Sequence, residues 1–149
     1  MKKAILLFAF AALSLQNINA TKRIYTKTDS IRAEKIMKQA SSQPAGTNTI
    51  VYIGRQLLGV PYVAQTLEKG KKEHLVINTM QLDCTTFVEN VLAMYLCVQN
   101  KTTRFADFCS NIQKIRYAGG KVSYPSRLHY FSTWIEDNTK KGIVQEQQA

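Results

Sequence analysis

Hydrophobic and polar positions follow a helical period most clearly in the segment after Asp83. The apolar side chains recur there as adjacent pairs four residues apart, at Phe87, Val88, Val91, Leu92, Tyr95 and Leu96. Pairs at this spacing lie on one face of an α-helix, because each turn takes about 3.6 residues. The pattern therefore predicts an amphipathic helix from Cys84 to Gln99, roughly 24 Å long.

Shorter segments with the same period predict further helices on both sides. They run from Asp29 to Gln39, from Thr49 to Leu58, from Phe105 to the Gly119-Gly120 pair, and from Phe131 to Asn138. Asp29 and Ser30 are candidate N-caps of the first of these helices. Pro61 ends the second, since proline lacks a backbone N–H and restricts the residue before it.

Alternating strand patterns are scarce. The segment from Leu75 to Ile77 is a short apolar piece, and the segment from Lys121 to Tyr124 is a candidate for a short strand. Residues 21–48 are predicted to form an N-terminal helix and a linker. The pattern as a whole predicts a mostly helical chain.

The composition is that of a folded protein. The chain has 149 residues, of which 45% are hydrophobic and 20% charged, and it contains 3 Pro and 3 Cys. The length suggests one domain, and the balance excludes a disordered polyelectrolyte or a proline-rich linker. No apolar run reaches the roughly 18 residues of a membrane span, and no CxxC pair offers zinc-ligand spacing. We therefore expect no membrane association of the mature chain and no metal site.

Residues 1–20 have the organisation of a secretory signal peptide. Lys2-Lys3 is followed by an apolar region from Ala4 to Leu15 and then by Ala20, a small residue suited to cleavage. An uncleaved anchor is the alternative. This segment predicts an exported, periplasmic protein.

The predicted export changes which binding partners the positive net charge of the chain indicates. The chain carries a formal net charge of +10, and the mature chain keeps +8 once Lys2 and Lys3 are removed. The basic residues are scattered, and no basic patch is interleaved with aromatic residues of the kind that stacks bases. We expect contact with an anionic envelope polymer, and no nucleic-acid partner.

Cys84 is the main candidate for a catalytic nucleophile. It opens the predicted helix, where free backbone N–H groups and the positive end of the helix dipole stabilise an anion such as a thiolate. The same N–H groups suit a tetrahedral oxyanion formed when a thiolate attacks a carbonyl. The alternative is a small buried apolar residue, which is how most free cysteines behave.

The remaining cysteines and the histidines are weaker candidates. Cys97 and Cys109 can pair only if their two helices form a hairpin, and the odd cysteine count leaves at least one free thiol. His74 lies among charged residues and fits a solvated loop. His129 lies in a polar and aromatic cluster and is the one credible base, although a structural histidine is an equal alternative.

Several motifs in the same order resemble one known family. Leu82 to Glu89 resembles the Asp-Cys-Ser/Thr nucleophile motif of NlpC-type cysteine peptidases and amidases, and Leu58 to Tyr62 resembles the Gly-x-Pro-Tyr segment that precedes it. Ile115 to Tyr117, Gly120, Ser126 to Phe131 and Trp134-Ile135 resemble a branch common in Bacteroides-type bacteria, first catalogued as a domain of unknown function. Members of that branch are N-acetylmuramoyl-L-alanine amidase-like enzymes of peptidoglycan turnover.

The resemblance implies an α+β, papain-like fold in which the helix with Cys84 packs on an antiparallel sheet. It implies Cys84 as nucleophile on the muramoyl-L-alanine amide bond, with Tyr62 and Asp83 near the substrate. Arg127 and His129 are expected on the substrate side, with a base role for His129 as the fallback. No cofactor and no metal are implied, and the expected partners are peptidoglycan fragments.

The chain departs from the family pattern after the last of these motifs. The superfamily's catalytic histidine lies on a sheet strand in a His-Val-Gly-type motif, which is not found here. Residues 49–149 are therefore expected to form the N-terminal, mainly helical half of an amidase domain that is truncated at its C-terminus. The alternatives to an amidase are a non-catalytic binder of peptidoglycan fragments, a pseudoenzyme, or a basic structural protein of the envelope.

Overall fold

The computed structural model describes residues 22–145 of the chain, so the predicted signal peptide lies outside the described residues. Helices carry most of the regular structure in that range: α1 (Lys27–Ser41), α2 (Thr49–Gln56), α3 (Cys84–Gln99), α4 (Phe105–Arg116) and α5 (Phe131–Lys140). Two short strands, β1 (Arg23–Ile24) and β2 (Leu75–Val76), pair in parallel. The prediction of a mostly helical chain is confirmed.

The core forms where α1, α2 and α4 pack around α3. Residues of all four helices are fully or almost fully buried there, among them Ala33, Met37, Ile53, Ala93, Met94, Phe108, Ile112 and Ile115. Each large apolar side chain contributes roughly 1.5–3 kcal/mol when it is removed from water. α3 is thus the central element of the core.

The N-terminus of α1 differs from the prediction. Thr26 is the N-cap, and Asp29 is the third residue of the helix in a capping box with it. Asp29 also accepts hydrogen bonds from the backbone N–H and the hydroxyl of Thr79, at 2.7 and 2.9 Å. Burial by itself raises the pKa of Asp29, but the hydrogen bonds from Thr26 and Thr79 outweigh it and lower the pKa below its ordinary value. Asp29 thereby ties α1 to the segment that leads into α3.

Two further expectations need correction. α2 ends at Gln56, two residues before the predicted end, and Leu58 is 73% exposed. The candidate strand from Lys121 to Tyr124 is not formed. Pro125 fixes its own backbone angle and offers no N–H, and the chain turns there in a short 3-10 helix, Tyr124–Ser126.

A buried ion pair joins three elements beside the core. Arg116 on α4 donates to Glu89 on α3 at 2.8 Å and to the carbonyl of Val76 in β2 at 2.6 Å. Both side chains are almost fully buried. Burial raises the pKa of Glu89, and the charge and hydrogen bonds of Arg116 oppose that rise. The pair fixes α3 against β2 and α4.

None of the helices in residues 22–145 combines the length and the hydrophobicity that crossing a membrane requires.

Candidate functional site

The N-terminus of α3 carries an exposed thiol. The helix begins at Cys84, as the hydrophobic period predicts, and Cys84 is exposed. Asp83 is the N-cap: its carboxylate accepts from the Thr86 N–H at 2.8 Å, and its carbonyl accepts from the Phe87 N–H at 2.9 Å. The N–H groups of Cys84 and Thr85 remain as donors of the first turn. An anion formed at Cys84 therefore lies at the positive end of the helix dipole.

Backbone hydrogen bonds hold the segment that contains Tyr62 next to the N-terminus of α3. The N–H of Val63 donates to the Leu82 carbonyl and the N–H of Leu82 donates to the Pro61 carbonyl, both at 3.1 Å. These bonds hold the segment around Tyr62 alongside the residue that precedes Asp83. The two motifs that resemble the amidase family, about twenty residues apart in the chain, thus lie side by side.

A cleft of about 450 Å³ runs between these two segments. Its walls are mainly apolar, and we call it the apolar cleft; it is lined by Leu57, Leu58, Gly59, Val60, Tyr62, Leu82, Asp83, Cys84, Phe87 and Val88. Tyr62 is 71% exposed. The predicted nucleophile, Tyr62 and Asp83 are therefore brought together in one cleft.

A second cavity of about 210 Å³ adjoins the first at Asp83, which lines both. Nine of its eleven lining residues are polar or charged, and we call it the polar cavity; it is lined by Gln65, Leu67, Glu68, Asp83, Thr85, Thr86, Glu89, Arg116, Arg127, Leu128 and His129. The residues on either side of Cys84 thus form part of its wall. Both residues predicted to lie on the substrate side, Arg127 and His129, line this cavity.

Arg127 is the buried cation of the polar cavity. Its side chain is 7% exposed, and its Nη2 donates to Glu68 at 2.5 Å. Its Nη1 lies 3.5 Å from a carboxylate oxygen of Glu73 and has no hydrogen-bond partner among the described residues. The guanidinium also lies over the ring of Tyr124, 5.2 Å from its centroid. Arg127 therefore keeps one buried donor without a partner.

His129 lines the polar cavity and Cys84 lines the apolar cleft, and neither of these two cavities contains both residues. Its Nε2 is 2.8 Å from the Tyr124 carbonyl, and its ring packs on the Tyr124 ring. A carbonyl only accepts, so Nε2 carries the proton and Nδ1 is the atom that remains to take up another. His74 is half-buried and lines neither cavity.

The other two cysteines are free thiols in the core. Cys97 and Cys109 are both fully buried, and burial raises the pKa of each to about 11. They stay protonated at neutral pH and are shielded from reagents. Among residues 22–145, no group of three His, Cys, Asp or Glu side chains is placed to hold a metal ion.

The sequence did not point to the carboxylates around Arg127. Glu68 and Glu73 flank the lysine-rich segment from Lys69 to Lys72, which has the composition of a solvated loop. Their contacts with Arg127 span more than fifty positions and have no local pattern. The sequence indicated only Arg127, because this residue lies in the segment from Ser126 to Phe131 that resembles the amidase branch.

Comparison with known families identifies the chain. Residues 52–148 match the AmiA-like family, described as N-acetylmuramoyl-L-alanine amidase-like. The match covers more than half of the chain, so the chain belongs to this family. A comparison with curated proteins gives no match.

Solved structures from Bacteroides are similar to part of the chain. An N-acetylmuramoyl-L-alanine amidase from Bacteroides uniformis ATCC 8492 is 41% identical over 74% of this chain, with a TM-score of 0.57. A second structure with that description is 39% identical over 74% of this chain, with a TM-score of 0.54. A candidate xylanase from Bacteroides fragilis is 46% identical over 62% of this chain, with a TM-score of 0.58. The chain covers 40% or 41% of the length of each of these structures.

Proposed function

We propose that this chain acts in peptidoglycan turnover, in cleavage of the amide bond between the muramoyl lactyl group and L-alanine. The observation that carries the proposal is the exposed thiol of Cys84 at the capped N-terminus of α3, in a cleft with Tyr62. Membership of the AmiA-like family and the similarity to the amidase structures from Bacteroides uniformis support this class of reaction. We also propose that the chain is exported. Its domain then has a papain-like arrangement, in which α3 packs against a sheet.

The reaction uses the thiolate of Cys84. Its sulfur attacks the lactyl carbonyl carbon, and the N–H groups of Cys84 and Thr85 donate to the oxyanion. The tetrahedral intermediate collapses to a thioester while the C–N bond breaks, and the leaving amine of L-alanine takes up a proton. Water then attacks the thioester carbonyl, releases the lactyl carboxylate and restores the thiolate.

The proton transfers need a base. His129 fills this role only through Nδ1, because its Nε2–H is bound to the Tyr124 carbonyl. It would have to act across Asp83 from the polar cavity. A His129→Ala variant tests this role, because loss of turnover supports it and unchanged turnover contradicts it.

A second function is supported by the separation of His129 from Cys84. A chain that holds the substrate in these cavities without a base beside the thiol would bind peptidoglycan fragments without cleaving them. Xylan hydrolysis has no such support, because glycosidases use a pair of carboxyl groups for the reaction. At this site Asp83 caps α3 and Glu89 is engaged with Arg116.

The test is hydrolysis of defined muropeptides by the chain and by its Cys84→Ala variant, measured as release of the free peptide by mass spectrometry. Amidase function predicts turnover in the parent and only the background rate in the variant. Cys109→Ser is the matched control for loss of a thiol outside the site. Binding to both proteins without turnover supports the second function, and equal turnover by both proteins contradicts the role of Cys84.

A further inference from the structure

The buried guanidinium of Arg127 indicates what the polar cavity recognises. We propose that Arg127 binds a carboxylate of an acidic peptide, and that Glu68 holds this position when the cavity has no ligand. The inference rests on the proposed function, since it assigns the peptide side of that substrate to the polar cavity.

Arg127 has more hydrogen-bond donors than its neighbours satisfy. A guanidinium has five N–H donors and no acceptor, and a buried donor without a partner destabilises the folded chain. Nη1 is such a donor, because the nearest oxygen of Glu73 is 3.5 Å away. A carboxylate matches the planar fork of Nη1 and Nη2 and binds both in parallel.

The two carboxylates beside Arg127 are not equivalent. The side chain of Glu73 is 11% exposed and accepts a hydrogen bond from the Tyr117 hydroxyl at 2.7 Å, so it is fixed in place beside Arg127. The side chain of Glu68 is 56% exposed, although its contact with Nη2 is short. An ion pair with one exposed partner is weak, so a ligand carboxylate can replace it. Glu68 is therefore the exchangeable partner.

The charge balance of the cavity limits the ligand to one carboxylate at this position. Two arginines, Arg116 and Arg127, face the carboxylates of Asp83, Glu68, Glu73 and Glu89 at or beside the cavity. An added anion is repelled unless it displaces Glu68, whose exposed side chain then turns to water. This balance favours a singly charged acidic group over a polyanion such as a nucleic acid.

The position of the cavity favours a peptide. It shares the lining residue Asp83 with the apolar cleft, so a ligand whose amide bond lies at Cys84 has the polar cavity beside it. Its volume of about 210 Å³ suits a group the size of one residue. The peptide that follows the amide bond in peptidoglycan is acidic in its second residue, which is the class of ligand that Arg127 selects.

The test measures binding in the Cys84→Ala background, so that no cleavage occurs. The probes are N-acetyl-L-alanyl-D-glutamine, an acid with one carboxylate, and its neutral α-amide, which is a diamide, and affinity is measured by NMR titration. We expect the acid to bind about tenfold more tightly than the diamide, and Arg127→Gln to remove this preference. Glu68→Gln should strengthen binding of the acid about threefold, because it frees Nη2. Glu136→Gln, which removes an exposed carboxylate paired with Lys140, is the matched control and should change neither affinity.

Equal affinity for the acid and the diamide would overturn the proposal, as would absence of binding by both or weaker binding of the acid to Glu68→Gln. If Arg127→Gln does not fold, Glu68→Gln decides the question alone, since its side chain is exposed. Turnover by the parent chain is scored separately. Selective binding of the acid without turnover refutes the cleavage reaction but supports the carboxylate site at Arg127. Turnover without selective binding supports the cleavage reaction but refutes the carboxylate site.

Discussion

At the scale of single residues, environment separates three cysteines that look alike in the sequence. Cys84 is exposed at a helix N-terminus, while Cys97 and Cys109 are fully buried in the core. Burial also raises the pKa of the two core thiols to about 11. Alkylation requires access to the sulfur, so Cys84 is the one thiol of the three that a reagent can reach in the folded chain.

We therefore predict that iodoacetamide at neutral pH labels Cys84 alone in the native protein. Peptide mass spectrometry after a short exposure should find one modified cysteine, and all three after exposure in urea. Cys84→Ser is the control and should show no native labelling. Labelling of Cys97 or Cys109 at a rate close to that of Cys84 would contradict the buried positions of these thiols.

At the scale of elements, α2 and the turn after it position Tyr62. Gly59 has a φ of +79°, a left-handed conformation that a side chain disfavours, and it leads into Pro61 and Tyr62. Gly54 lies within α2 with no such requirement, and an added Cβ would lie 3.6 Å from Phe87, an ordinary contact. The two glycines therefore have opposite roles in the same segment.

This contrast predicts opposite effects of the same substitution. Gly59→Ala should lower the free energy of unfolding by about 1–2 kcal/mol, because alanine is strained at positive φ. Gly54→Ala should raise it by about 0.5–1 kcal/mol, because alanine loses less freedom on entering a helix. Urea denaturation measures both changes, and each variant is the control for the other. Stabilisation by Gly59→Ala would contradict the turn geometry.

At the scale of the whole molecule, the ion pair of Glu89 and Arg116 joins α3, α4 and β2 next to the site. Removal of one partner leaves a buried charge uncompensated, which costs about 3–5 kcal/mol. Removal of both partners avoids that cost. The pair therefore links the stability of the core to the placement of the helix that carries Cys84.

We predict that Arg116→Met destabilises the chain by about 3–5 kcal/mol at neutral pH, and that the double variant with Glu89→Met recovers most of the loss. Burial raises the pKa of Glu89, and Arg116→Met removes the charge and the hydrogen bond that chiefly oppose that rise. A carboxyl group with a higher pKa in the folded state favours folding as the pH falls, because the folded state binds the proton first. The loss caused by Arg116→Met should therefore shrink as the pH is lowered from 8 towards about 5. A loss that is equal at both pH values would refute this.

Features that depend on neighbouring residues were predictable from the amino-acid sequence alone. The bounds of α3 were predicted correctly, because the apolar period and the cap at Asp83 lie within the helix and its first turn. The position of Cys84 at a helix N-terminus follows from the same pattern. The family to which the chain belongs was predicted from short motifs, and the match to residues 52–148 confirms it.

Features that depend on residues far apart in the chain became evident only from the packing of the folded protein. The contact of Arg127 with Glu68 spans 59 positions and that of Asp29 with Thr79 spans 50, and neither follows from a local period. The division of the site into an apolar cleft with Cys84 and a polar cavity with His129 arises in the same way. A helix is specified by hydrogen bonds and side chains within a few residues, whereas a cavity is specified by which elements pack together.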